Sequence, residues 1–180
     1  MVNINSMRKF IYLSIISVVA LMTSCLGEME SHYTPRIYCS AFYVNPILLG
    51  DSLIGAKDTL MLTLDIENNA YVSDTVELGD TIMFASTFYS VSNNLVAVKM
   101  DWDTTTTALW FPLTDAIQKV LTDRTDMSAG NLYFNPGYNT VAFPIYLCPM
   151  AEGKSSVVLT VESDSKFSTS SLKFAVPVSK

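Results

Sequence analysis

Apolar residues recur at every second position through most of the chain, the period of a strand with one buried face. In 37–44 one face carries Ile37, Cys39, Ala41 and Tyr43. In 59–66, Leu60, Leu62, Leu64 and Ile66 oppose Met61, Thr63 and Asp65. Segment 71–78 is weaker and reads as an edge strand, and Gly79-Asp80 separates it from 81–91, where Ile82, Phe84 and Phe88 share a face. In 95–102, Val96, Val98, Met100 and Trp102 lie opposite Lys99 and Asp101. The intervening Ser92-Asn93-Asn94 suits a hairpin, because Asn tolerates positive φ. Segments 131–134 and 140–148 flank Asn135-Pro136-Gly137, whose Pro and Gly fit the centre of a type II turn. Pro144 has no N–H and marks an edge or a bulge. A final pair, 155–163 and 171–178, turns Val157, Leu159 and Val161 and then Leu172, Phe174, Val176 and Val178 inward.

One stretch changes period. Leu113, Ile117, Val120 and Leu121 fall at helical spacing, Thr114 can cap and Asp115 suits the positive first turn, which predicts a short helix over 115–122. Eight or nine strands, one short helix and no βαβ alternation predict an all-β, two-sheet antiparallel sandwich, with a jelly roll or small barrel as the competing architecture. No repeat or second-domain linker interrupts 37–180, which reads as one domain.

The N-terminus has a different logic. Arg8-Lys9, then the 13 residues from Phe10 to Met22, then Thr23-Ser24-Cys25 run basic, apolar, small, in signal-peptide order. The apolar run falls short of the ~20 residues a spanning helix needs. Met1 to Ser6 add nothing to this signal, so translation is expected to begin at Met7. Met22-Thr23-Ser24-Cys25 resembles the lipobox of bacterial lipoproteins, with Leu21 one place further from the cysteine than in the commonest form. The resemblance implies removal of residues 1–24, acylation of Cys25 and a tether over 25–36. Two or three acyl chains at about 0.8 kcal/mol per methylene hold a domain to a membrane durably. Glu28 and Glu30 resemble the acidic export signal of Bacteroidota surface lipoproteins; an acidic linker is the alternative. The expected address is the outer membrane, with the cell surface favoured over the periplasm.

Charge then narrows the partners. The whole chain has 11 Lys and Arg against 17 Asp and Glu. Removing residues 1–24 takes away Arg8 and Lys9, leaving nine cations and a charge of −8. Nucleic acid is excluded, since phosphate binding needs a basic patch. The acyl chains rather than charge must hold the membrane.

Candidate chemistry is sparse. The single histidine, His32, lies in the tether, which leaves no Ser/His/Asp or Cys/His set and no histidine-rich zinc site. No cofactor motif is present, and no catalytic residue is assigned. Asp101-Trp102-Asp103 puts two carboxylates on one strand face, the raw material of a glycosidase; the alternative is a strand end with Trp102 in the core and both acids in water. Trp110-Phe111, Tyr133-Phe134 and Tyr138 flank the helical stretch, and Trp110, Tyr133 and Tyr138 are candidates for stacking on sugar faces, against the alternative that they are core. Cys39 and Cys148 either pair in an oxidising compartment or remain two buried thiols.

Tyr146-Leu147-Cys148 resembles the Tyr-x-Cys corner of immunoglobulin domains, with Trp102 and Cys39 as the other hallmarks. The resemblance implies an immunoglobulin-like sandwich. A durable anchor, a sandwich and no catalytic set together predict a tethered binding or assembly module for a glycan or a protein partner. A carboxylate-dependent surface hydrolase and a fimbrial subunit with an exchangeable 171–178 strand are the rival readings.

Overall fold

The computed structural model describes residues 33–50 and 52–180, without the side chain of Ala41. The signal segment, Cys25, Glu28, Glu30 and His32 lie outside the described residues. Twelve strands and one helical turn follow in chain order: β1 (Arg36–Leu49), β2 (Ser52–Leu60), β3 (Leu62–Asp65), β4 (Ala70–Ser73), β5 (Val76–Glu77), β6 (Ile82–Tyr89), β7 (Leu95–Trp102), β8 (Thr107–Trp110), α1 (Asp115–Gln118), β9 (Asn131–Tyr133), β10 (Thr140–Pro149), β11 (Gly153–Ser163) and β12 (Thr169–Ser179). They form the expected two-sheet sandwich. The first sheet has the order β2-β1-β6-β10-β8, and the second β3-β4-β12-β11-β7-β9 with β5 also on β12.

The inward faces follow the alternation where strands are long. Ile82, Phe84 and Phe88 from β6, Val157, Leu159 and Val161 from β11, and Phe174, Val176 and Val178 from β12 meet in one core with Ile145 and Leu147 of β10. Phe84 lies between Phe42 and Phe174, its ring centroid 5.0 and 5.4 Å from theirs.

Several expectations are corrected. The segment 59–66 is not one strand: the chain leaves the first sheet after Leu60 and enters the second at Leu62, so Leu64 is exposed and Ile66 is 83 % exposed. A bulge at Ala41, between Ser40 and Phe42, reverses the parity of β1, so Ile37 and Cys39 face the core while Tyr43 does not. The anticipated hairpin at Ser92-Asn93-Asn94 does not join neighbours, and the turn at Asn135-Pro136-Gly137 also changes sheet. Ser92-Asn93-Asn94 leads from β6 in the first sheet to β7 in the second, and Asn135-Pro136-Gly137 leads from β9 in the second sheet to β10 in the first.

These crossings are held by side chains. Asn94 Nδ2 donates to Asp164 Oδ2 at 2.8 Å, and Asn94 Oδ1 accepts from Gly137 N at 3.0 Å, tying three loops at one end of the sandwich. The 71–78 segment divides into β4 and β5. Both pair in parallel with β12, which makes the second sheet mixed and β4 an interior strand. The helix ends at Gln118 rather than at 122, capped by Thr114 Oγ1 on Ile117 N at 3.3 Å. No helix among the described residues is long and apolar enough to cross a membrane.

Candidate functional site

The two outward faces of the sandwich differ in kind. On the second sheet the outward face carries Lys99, Asp101, Glu162 and Lys173, an ordinary charged surface with Lys99 paired to Glu162 at 2.7 Å. The outward face of the first sheet carries aromatic and small residues instead.

Strand register arranges them in rows. Tyr43, Met83, Tyr146 and Trp110 stand opposite one another across β1, β6, β10 and β8. Met83 and Tyr146 are buried, yet they belong to no part of the core cluster; their neighbours in this row cover them. The Trp110 ring stacks on Tyr146 with centroids 5.4 Å apart and 8° between planes, and it remains 43 % exposed.

The next row is small: Ser40, Ala85 and Pro144. Beyond it Tyr38 stacks on Tyr89 at 5.4 Å, with their hydroxyls 3.4 Å apart. The Tyr89 hydroxyl, and after it Arg36, hold the Tyr38 phenol below its ordinary pKa, and Tyr38 in turn pushes that of Tyr89 up. The bulge at Ala41 is what brings Ser40 and Tyr43 to the same face.

The aromatic row runs into a cleft of about 1010 Å³. One wall is the chain after β8. Phe111 turns into the core against Phe143, with centroids 5.9 Å apart, which lifts Pro112 to Ala116 over the sheet edge beside Trp110. The opposite wall is the β1–β2 hairpin through Asn45, Pro46, Leu48 and Gly50. Asn45, at φ 46°, bends the strand out of the sheet. It is fixed there by Asp80 Oδ1 on its Nδ2 at 2.6 Å and by Thr81 N on its Oδ1 at 2.8 Å. Past this latch β1 has only β2 beside it, and Ile47, Leu48, Leu49 and Ile54 are exposed at the hairpin end. Among the described residues lining the cleft, Asp115 is the single charged side chain.

Of the residues singled out from sequence, Trp110 lines this cleft and the others do not. Tyr133 lies on β9 of the second sheet, with the Arg124 guanidinium 4.5 Å from its ring centroid. Tyr138 sits in the β9–β10 loop, its carbonyl accepting from Leu95 N at 2.7 Å. Asp101 and Asp103 are both exposed at the end of β7, and Trp102 packs against the core between them. Thr105 donates to Asp103 Oδ1 through Oγ1 at 2.6 Å and through its backbone N at 2.9 Å, holding that carboxyl below the usual range. A general acid needs the opposite shift.

Tyr146 and Met83, buried within the outward face, carry no sequence signal that sets them beside Trp110. The alternation of 140–148 sets Tyr146 opposite Ile145 and Leu147, but its meeting with Trp110 depends on pairing between strands 36 residues apart.

Cys39 and Cys148 are both free. Cys39 stands level with Ser86 and Phe143, two strands and five residues from Cys148, which separates them by roughly 19 Å at strand spacings. A disulfide requires Cα atoms within about 7 Å. Burial pushes the Cys39 thiol up to about 11. Cys148 Sγ donates to the Gly79 carbonyl at 3.6 Å. The immunoglobulin pin joins opposite sheets, whereas these cysteines share one, and Tyr146 stacks on Trp110 at the outward face. The likeness to that corner therefore ends at the sandwich architecture. Among the described residues, no group of three or more His, Cys, Asp or Glu could hold a metal ion.

Fold and cleft together define an all-β sandwich with one face rich in aromatic residues. No family model and no curated protein sequence matches the chain. Solved structures share parts of its shape. A FixG-related protein from Vibrio parahaemolyticus is 5% identical over 81% of this chain and 97% of its own, with a TM-score of 0.39. A conjugative transposon lipoprotein from Bacteroides eggerthii is 12% identical over 75% and 95%, with a TM-score of 0.35. A family 123 glycoside hydrolase from Clostridium perfringens is 11% identical over 81% of this chain and 27% of its own, with a TM-score of 0.41. All three scores lie below 0.5, and no assignment rests on them.

Proposed function

We propose that the protein is a lipid-anchored capture module, held at the outer membrane through Cys25 and binding glycan with the outward face of its first sheet. The observation that carries this reading is the row Tyr43, Met83, Tyr146 and Trp110 leading into the cleft, on a face whose described cations are Arg36 and the ion-paired Lys57 and whose described cleft lining has Asp115 as its acid. Ring faces suit the C–H surfaces of sugars, and the Ser, Thr and Tyr hydroxyls beside them suit sugar hydroxyls. Trp110 is kept from the sequence-based set, and Tyr146 takes the place of Tyr133 and Tyr138.

Two measurements test this. A glycan array probed with the soluble form, residues 26–180, should give binding that Trp110→Ala weakens at least tenfold and Tyr138→Ala leaves unchanged. Equal loss in both variants, or no binding to any glycan, would reject the site. For the anchor, Cys25→Ser should abolish palmitate incorporation and release the chain from the membrane fraction. A chain that stays membrane-bound after this change was never held by an acyl group on Cys25.

A protein partner is the second reading, and it has an observation of its own. The four exposed apolar side chains at the β1–β2 hairpin end, Ile47, Leu48, Leu49 and Ile54, are more than a lone solvent-facing leucine requires. Loss of partner capture on Leu49→Ser, with glycan binding absent, would favour it.

A further inference from the structure

We infer that the ligand of this face is an uncharged, linear oligosaccharide laid across the strands along the small-residue row, a specificity that rests on the glycan reading above. Ser40, Ala85 and Pro144 form a valley floor. On one side stands the aromatic row through Met83, and on the other the stacked Tyr38 and Tyr89. Met83 and Thr87 mark the two sides on β6, four residues or about 13 Å apart, which admits one sugar chain and not a folded surface. Across the strands, the row from β1 to β10 spans about 10 Å, the length of roughly two sugar units. At the β8 end the valley opens into the cleft, where Trp110 offers a ring and Asp115 an acceptor for hydroxyls.

Charge decides the class of sugar. The mature chain carries −8, and the described residues of the cleft lining include Asp115 and no lysine or arginine. Arg36 lies at the far corner beside the Tyr38 and Tyr89 pair, which raises its pKa. Lys57 on the neighbouring β2 is committed to Glu77 at 2.8 Å and Asp80 at 3.5 Å. A sulfated or uronic chain would therefore meet a carboxylate and an acidic domain with no free cation in the cleft to receive it, whereas a neutral chain loses nothing.

Affinity electrophoresis of the soluble form tests the inference. Gels would contain a linear glucan, mannan or xylan, each beside its sulfated derivative. Retardation by at least one neutral polymer and at least tenfold weaker retardation by its sulfated form are expected. Ala85→Arg, and separately Ser40→Gln, fill the valley from exposed positions; each should abolish retardation with the melting temperature unchanged. Sulfated polymer binding as tightly as neutral, or both valley variants binding like the parent, overturns the inference and leaves glycan capture standing. No retardation in any gel, with a blank array, overturns the capture reading as well.

Discussion

Replacing Gly130 with alanine is expected to cost about 3–5 kcal/mol and to lower the thermal midpoint by roughly 10 °C or more. Two separate effects add. Gly130 sits at φ 69°, where an L side chain is disfavoured by about 1–2 kcal/mol. A Cβ there would also stand 2.7 Å from the Met100 carbonyl oxygen and 2.7 Å from the Trp102 ring. The first of these obstacles is backbone in the middle of β7, itself clamped between β11 and β9, so it cannot step aside. The Gly130 carbonyl meanwhile accepts from Met100 N at 2.9 Å, and any shift that relieves the clash stretches this bond. Gly137→Ala supplies the comparison. Gly137 also has positive φ, at 100°, but nothing lies within 4 Å of its notional Cβ. Thermal melts of the two variants should differ by the packing cost alone, and equal midpoints would show that Gly130 has room the structure denies it.

Phe84→Ala is expected to cost about 4 kcal/mol, since it removes a fully buried ring that neighbours cannot replace. Phe84 is where the sheets meet: it contacts Phe42 on the adjoining strand of its own sheet and Phe174 from β12 of the other. Long aromatic side chains on both sheets prop the void open, and collapse into it would require moving Phe174 away from Tyr71, 6.0 Å distant. Phe84→Leu keeps most of the volume and should cost about 1–1.5 kcal/mol. Urea titrations of the two variants separate loss of volume from loss of ring shape. Equal midpoints would mean that ring contacts rather than filled space hold the sheets together.

Reading the sequence recovers the strands whose two faces differ sharply and fails where the deciding contact is distant. β11 is legible because Val157, Leu159 and Val161 share one face with Ser156, Thr160 and Glu162 on the other. β6 is legible through Ile82, Phe84 and Phe88, which share one face. What alternation cannot encode is the sheet to which a strand belongs. Asn93-Asn94 and Pro136-Gly137 have the chemistry of tight turns, and they do turn the chain, but each delivers it to the other sheet. In 59–66 the alternation continues unbroken while Met61 marks a change of sheet, so four leucine and isoleucine residues that look alike in sequence end in different surroundings. The bulge at Ala41 is equally silent, because nothing local announces the extra residue.

The candidate site suffers most from this. Trp110 announces itself by composition, but Tyr146, Met83 and Tyr43 become its neighbours only through three independent registers. Tyr133 and Tyr138, close to Trp110 in sequence, are carried to other surfaces by the crossing between β9 and β10.

The place of β12 has a consequence for how the domain is made. It lies between β11 and β4, and also pairs with β5, so the centre of the second sheet is supplied by residues 169–179. Until those residues emerge, β4 lacks its partner on that side, and Val157 and Leu159 have no hairpin mate. Contacts between segments about 100 residues apart form late and slowly, because the loop must close before any of them contributes. A chain short of β12 therefore lacks the pairing that joins β4 and β5 to β11.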